Sequence, residues 1–264
     1  MIVSPTQPLL FASQRIPLQI DFVNTNSVFV VATVPMPAAV TGMATTPLGD
    51  KLYVVAGTQL VVVSVRSRSV VDSITLPSTG SGVAVGGPLG RKVMVTLPGA
   101  HEIAIINTTT NAVTKLVHAG RCIHEGKNDP CEPRDIAMSP AGRYAIAVSG
   151  RNALGFDTFT DTVLAATEVK GNIFRAIDLA VDPSSATMWI KAGGFKRSYL
   201  SQVSMAPPFN VVNTATTVLL EGAAISPTGV GFASTGQHIV SFPIGSGGTF
   251  IRMNSNTGAV AYVP

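Results

Sequence analysis

Apolar and polar residues alternate along this chain in runs of five to eight. Lys51 to Ala56, Gln59 to Val65 and Ser69 to Leu76 form one such series, and Arg143 to Ser149, Ala153 to Thr158 and Thr162 to Val169 form another. Turn residues, mostly Gly, Asn, Ser and Thr, separate the runs. That is the pattern of short strands joined by tight turns.

A longer period overlies the short one. Met43-Ala44-Thr45-Thr46-Pro47-Leu48-Gly49 matches Ile136-Ala137-Met138-Ser139-Pro140-Ala141-Gly142 and Ala223-Ala224-Ile225-Ser226-Pro227-Thr228-Gly229. Weaker copies lie at Val83 to Gly90, Leu179 to Ser185 and Met1 to Gln7. The marker prolines Pro5, Pro47, Pro88, Pro140, Pro183 and Pro227 are 42, 41, 52, 43 and 44 residues apart. The long interval contains both cysteines, and removing about ten residues from it restores a uniform repeat, as an insertion in one connecting loop should.

Four short strands in each period of about 42 residues is the arithmetic of a propeller blade, a sheet buried on both faces by its neighbours. The predicted fold is all-β: a single six-bladed β-propeller of four-stranded antiparallel blades. It occupies 1–264 as one domain, with blades near 1–37, 38–78, 79–120, 134–171, 175–220 and 221–264 and an insertion at 121–134. Met1 to Ser4 reads as the innermost strand of the first blade and Ala259 to Val263 as the outermost of the last. The ring then closes by side-chain packing, unless the terminal blades exchange a strand. Gly231 to Ser234, His238 to Ile244 and Thr249 to Asn254 give the sixth unit one candidate strand too many.

Leu52-Tyr53-Val54-Val55 and Ile105-Ile106-Asn107-Thr108-Thr109-Thr110-Asn111-Ala112-Val113-Thr114 resemble the YVTN-type propeller repeat. The resemblance spans nearly the whole chain, with the tetrad itself in degraded form, and it is specific for fold rather than chemistry. It implies a class found in periplasmic, secreted and surface-layer proteins and in lactonase-like enzymes. A single Trp189 and the absence of Gly-His and Trp-Asp pairs leave nothing of the WD40 pattern.

Composition agrees with two-sided burial. Apolar residues make up 46% of the chain and charged residues 12%, about half the usual ~25%. This excludes intrinsic disorder and a coiled coil. Eighteen basic and 14 acidic residues leave a net charge of +4. The basic residues stand singly or in pairs such as Arg91-Lys92 and Lys196-Arg197, not in the stripe that nucleic acid requires. The richest apolar run, Val28 to Val40, is cut by Pro35 and Pro37, so no spanning helix is expected. Met1 to Pro5 has neither a charged leader nor a signal-type apolar core, which fits a cytosolic protein or a mature chain.

Cys122 and Cys131 choose between those compartments. Nine positions apart in a polar Gly/Pro-containing segment, they suit a disulfide-closed loop stabilising by roughly 2–3 kcal/mol. Zinc, with His118 and His124 as further ligands, lacks the tight Cys-x-x-Cys spacing, and two free thiols are the other alternative. A disulfide places the protein outside the reducing cytosol, as a secreted, periplasmic or cell-surface chain.

In a propeller, ligands commonly sit where the inner strands enter the central channel. The residues there are Thr41-Gly42, Ser81-Gly82, Arg134-Asp135, Ile177-Asp178 and Glu221-Gly222, with Arg175 slightly upstream. Glycine is the default, and the fourth and fifth units replace it with Asp135 and Asp178. Together with Arg134, Arg175, Glu221 and the loop's His124, these form the candidate ligand site. No cofactor is required; Asp135 and Asp178 are candidate calcium ligands, since calcium takes carboxylate oxygens. The plainer reading pairs Arg134 with Asp135 or Asp178 as strand-end salt bridges. His101 and His238 each begin a predicted strand, at the surface or an edge. Gly80-Ser81-Gly82 has no following helix to make a phosphate loop, and the sequon Asn107-Thr108-Thr109 coincides with a turn of the repeat.

Three functions follow. The first is a non-catalytic secreted or periplasmic interaction module holding a protein, glycan or small-molecule partner on the loop face. The second is a lactonase-like hydrolase or lyase using His124, Asp135, Asp178 and Glu221 as acid/base or metal-binding groups. The third is a structural surface-layer component that self-assembles through apolar surface.

Overall fold

The computed structural model describes residues 1–263 apart from 28, 87–89, 125–126, 170–174, 182–186, 194–197, 218–221, 226–229, 235–237, 244–249 and 255–259. Beyond Val212, and at 123, 124, 127, 175–178, 180, 189, 191–193 and 198–200, the backbone alone is described. Within these residues every strand pairing is antiparallel, and sheets form from consecutive strands.

The first sheet contains Ile2–Val3, Leu9–Arg15, Leu18–Asn24 and Phe29–Pro35; the second Val40–Thr45, Lys51–Ala56, Gln59–Ser64 and Ser69–Thr75. The third contains Val83–Gly86, Lys92–Leu97, Glu102–Asn107 and Ala112–His118; the fourth Asp135–Met138, Tyr144–Ser149, Asn152–Asp157 and Thr162–Glu168. The fifth contains Arg175–Val181, Thr187–Gly193, Ser198–Ser204 and Val211–Thr217. The last sheet has five strands rather than the four expected: Gly222–Ile225, Val230–Ser234, His238–Pro243, Phe250–Asn254 and Val260–Val263. Its strands are only four to six residues long, so its segment accommodates one more. Among the described residues the first and last sheets each use their own segment, with no strand exchanged between them.

Successive first strands lie beside one another, Val40–Thr45 against Val83–Gly86, then Asp135–Met138, Arg175–Val181 and Gly222–Ile225. The sheets therefore radiate from a common inner row, and in the second, third and fourth sheets each side meets a different neighbour. Strand alternation does the sorting. From the second sheet Leu52, Val54, Ala56, Val61 and Val63 pack against Phe11, Ile20 and Phe22 of the first. The residues between them, Tyr53, Val55, Leu60 and Val62, pack against Val83, Val93, Val95 and Ile106 of the third. Met94, Ile103 and Ile105 point the other way, onto Ala145, Ala147, Leu154 and Phe156 of the fourth sheet. Ile146, Val148 and Ala153 continue to Met188, Ile190 and Val203 of the fifth. Each buried aliphatic side chain contributes roughly 1.5–3 kcal/mol.

Turns follow the repeat. Gly49, Gly90 and Gly142, which close the turns after the marker prolines, have φ of 66°, 65° and 70°, a conformation glycine adopts without steric cost. Between third and fourth strands a side-chain oxygen holds the turn. Asn24 Oδ1 accepts from the Asn26 and Ser27 amides, Asn107 Oδ1 from Thr109 and Thr110, and Asp157 Oδ1 from Phe159 and Thr160; Ser64 Oγ accepts from Ser67. Asn107 thus has a structural task independent of its sequon.

Tyr53 is fully buried, and its hydroxyl has no hydrogen-bond partner among the described residues. Burial first, then the charges of Asp50 and Asp72, push its pKa up to about 12 from 10.0. Above pH 10 the unfolded chain loses this proton while the folded chain keeps it, so stability falls as pH rises from about 10 to about 12. Tyr53→Phe should flatten that part of the Tm-against-pH curve and leave Tm at pH 7 unchanged or higher. A parallel fall in both proteins would show that Tyr53 does not govern it.

Candidate functional site

In the first four sheets the last strand is followed by a connection to the next sheet's first strand. The residue just past the strand makes the same bond each time: Met36 N to Leu18 O at 2.9 Å, Leu76 N to Thr58 O at 2.9 Å, Ala119 N to His101 O at 2.9 Å and Val169 N to Arg151 O at 2.8 Å. Each of these side chains joins the core between two sheets. Met36, Leu76 and Val169 are bulky, whereas Ala119 is not. Cys122 and Cys131, buried in the same cluster as Ala119, occupy the seam there instead.

The expected disulfide is closed, with Cα atoms 5.0 Å apart. The segment around it is not a plain loop: Arg121–His124 pairs with Lys127–Pro130 as a two-stranded sheet. Arg121 Nε donates to Asn128 O at 3.1 Å. No apolar alternation announces these strands; cross-linking and backbone pairing hold a polar sequence. Cys131 N donates to Gly120 O at 3.0 Å, fastening the hairpin's base.

His101 does not begin a strand, as its place in the repeat suggests. It sits instead in the left-handed region, φ 57°, at the end of the turn Pro98–Ala100. Its Nδ1 donates to Cys131 O at 3.1 Å; a carbonyl can only accept, so this nitrogen carries the proton. Sequence reading missed this contact because the partner is a backbone carbonyl 30 residues away.

The chain then reaches the channel. Glu132 N donates to Ser149 Oγ at 2.7 Å and Arg134 N to Val148 O at 2.8 Å. Arg134 Nη2 pairs with Glu132 Oε2 at 3.0 Å, both side chains about half exposed. The sequence suggests Asp135 or Asp178 as the partner of Arg134; Glu132, two residues back, is its observed ion-pair partner. An exposed pair of this kind adds little stability, so it marks charge on the surface more than strength in the fold. Asp135 Oδ1 accepts from the Ile136 amide at 2.8 Å.

Gly42, within Val40–Thr45, and Gly82, just before Val83–Gly86, have a steric cause. A Cβ on Gly42 would lie 2.6 Å from Ser81 O, and one on Gly82 would lie 2.6 Å from Asp135 Cα. The second and third units thus leave room for the next unit's strand. Thr41 Oγ1 donates to Gly80 O at 3.1 Å, and Thr96 Oγ1 accepts from Gly82 N at 2.7 Å and donates to Arg134 O at 3.2 Å, tying consecutive entrances together.

Arg134 and Asp135 therefore sit with Glu132, Thr96 and the base of the hairpin at the seam of the third and fourth sheets. The strand of Asp178 neighbours that of Asp135, but the side chains of His124, Arg175 and Asp178, and Glu221 entirely, lie outside the described residues. Among the described residues no group of three or more His, Cys, Asp and Glu side chains is arranged to hold a metal. A shallow cavity of about 130 Å³ lies at the second sheet's entrance, lined by Met1, Ser13, Val40, Thr41, Gly42 and Met43 and free of charged side chains.

Comparison with known proteins defines the class by architecture. Over 99% of this chain and 93% of the other, it superposes on Kuenenia stuttgartiensis hydrazine synthase with a TM-score of 0.75 at 15% identity. It also superposes on the β-propeller domain of Myceliophteria thermophila Cps50 (Swd1), covering 99% and 94% of the two chains, with a TM-score of 0.74 at 10% identity. The fold is a β-propeller, and at such identities the likeness extends to fold alone. No family model matches the chain, and no curated protein matches it.

Replacing both cysteines, Cys122→Ser with Cys131→Ser, should cost about 2–4 kcal/mol in urea unfolding. Adding Ala119→Leu should recover part of that loss by refilling the seam. If the leucine instead destabilises the cysteine-free protein further, the disulfide is not filling space that Ala119 leaves.

Proposed function

We propose that residues 1–264 form one six-bladed β-propeller and act as a non-catalytic, extracytoplasmic interaction module. Its partner, a protein, glycan or small molecule, is held on the face where the first strands enter, at the channel mouth. One observation carries this reading: on that face, at a single seam, the hairpin 121–130, the turn Pro98–Ala100 and the exposed Glu132–Arg134 pair stand together. Irregular, charged segments fixed on a rigid scaffold are where binding residues collect. A buried, closed disulfide favours an oxidising compartment. No helix among the described residues is long and apolar enough to cross a membrane.

The reading is tested by probing arrays of glycans and secreted proteins with the intact protein and with Glu132→Ala/Arg134→Ala. Because the exposed pair adds little to stability, both proteins should melt together while the variant loses its hits. Hits that persist at full strength in the variant would place binding elsewhere.

A second reading, self-assembly, has its own observation: Met1, Val3, Ile16, Phe29 and Val30 of the first sheet are all exposed. Sedimentation velocity should then show a concentration-dependent larger species, removed by Phe29→Lys with Val30→Lys. A single monomeric species at every concentration rules it out.

A further inference from the structure

One residue in the turn between third and fourth strands adopts the left-handed conformation in each of the second to fifth sheets: Arg68 at φ 54°, Asn111 at 48°, Asp161 at 53° and Phe209 at 55°. A positive φ turns the side chain out of its own hairpin. In every case it meets the preceding sheet.

The chemistry of that meeting differs from seam to seam. Arg68 Nη1 donates to Val31 O of the first sheet at 3.0 Å. Asn111 Nδ2 donates to Asp72 Oδ2 of the second at 2.6 Å. Asp161 takes Lys92 Nζ of the third on its carboxylate at 2.6 Å and Lys115 Nζ on its backbone carbonyl at 3.1 Å. Phe209, fully buried, lies against Gly155 of the fourth, where a Cβ would come within 2.3 Å of its ring, and stacks edge-on with Tyr144 at 5.7 Å.

We propose that these left-handed residues are seam keys that determine which sheet packs on which. The apolar layers carry less of this information, since most of their residues are the readily interchangeable Val, Ile, Leu and Ala. Similar units in one chain are prone to docking in the wrong order or exchanging between copies. Four chemically unlike contacts from the same turn oppose that error: a carboxylate cannot donate to Asp72, an amide meets Lys92 without the opposite charge, and an aromatic ring satisfies neither. Asp161 brought to the second sheet would set its carboxylate against Asp72. Phe209 would find no glycine recess at any seam with a bulkier residue in place of Gly155.

Exchanging two keys tests this at constant composition. Asn111→Asp with Asp161→Asn keeps the net charge, and both residue types tolerate the left-handed turn, so only the matching changes. The full-length, disulfide-intact protein is unfolded in urea and refolded by dilution over a range of concentrations, and monomer is separated from dimer and aggregate by size exclusion. The exchanged variant should give less monomer, with the loss growing as concentration rises. Adding Asp72→Asn should restore part of it, by giving the carboxylate introduced at position 111 a donor. Tm should fall by roughly 2–4 °C for each kcal/mol lost. A variant with lowered Tm but the parent's refolding partition at every concentration would overturn the proposal, because the contacts would then stabilise seams without selecting them. An unchanged Tm and partition would overturn it equally.

Discussion

Everything in this molecule depends on the inner sheets, the second to the fourth, having two buried faces with different neighbours. A strand alternates sides every residue, so along Leu52 to Val55 consecutive side chains belong to different cores: Leu52 and Val54 to the seam with the first sheet, Tyr53 and Val55 to the seam with the third. A one-residue slip would exchange the two sets wholesale. This fixes register more firmly than in a sheet with one wet side, and it removes the polar face on which a strand ordinarily carries charge. The low charged fraction is thus a consequence of geometry.

The same constraint sets the inner row. Sheets that share a centre converge there, and backbone meets backbone before side chains can intervene. Gly42 and Gly82 follow from that approach, since each faces main-chain atoms of the next unit. Asp135 occupies the equivalent place in the fourth unit, where the carboxylate can bond its own following amide. A charged residue at a position the fold otherwise reserves for glycine is unusual enough to motivate a site. Its hydrogen bond to Ile136, however, already gives it a local structural role.

Much of this was legible in the sequence. Alternation gave strands whose limits fall within a residue or two of those observed in the second and fourth units, and the marker prolines gave the period because the turn that follows them takes a left-handed glycine in the second, third and fourth units. The insertion was legible from one irregular interval, and its disulfide from spacing and composition. Two kinds of feature were hidden. The hairpin within 121–130 carries no apolar alternation, because its cross-link and backbone bonds replace packing. The His101 contact and the Arg134–Glu132 pair depend on the path of a connection, which periodicity does not encode. The extra strand of the last sheet, by contrast, was visible as one candidate run too many between 231 and 254, each of those runs being a strand.

The seam between the third and fourth sheets brings these considerations to one place. Where the neighbouring seams are closed by Met36, Leu76 and Val169, this one has Ala119 and a disulfide, so the insertion has a packing task whatever else it does. That task does not account for all of it. Two cysteines and a short link would fill the space, whereas the chain adds a paired hairpin of exposed polar residues and then the Glu132–Arg134 pair, which contributes little to stability. Structural need explains the inward side of the insertion, Cys122 and Cys131; its outward side, Arg121, Asn128, Asp129, Glu132 and Arg134, is in excess of that need. It is this excess, fixed on a buried covalent anchor, on which the proposed interaction face rests.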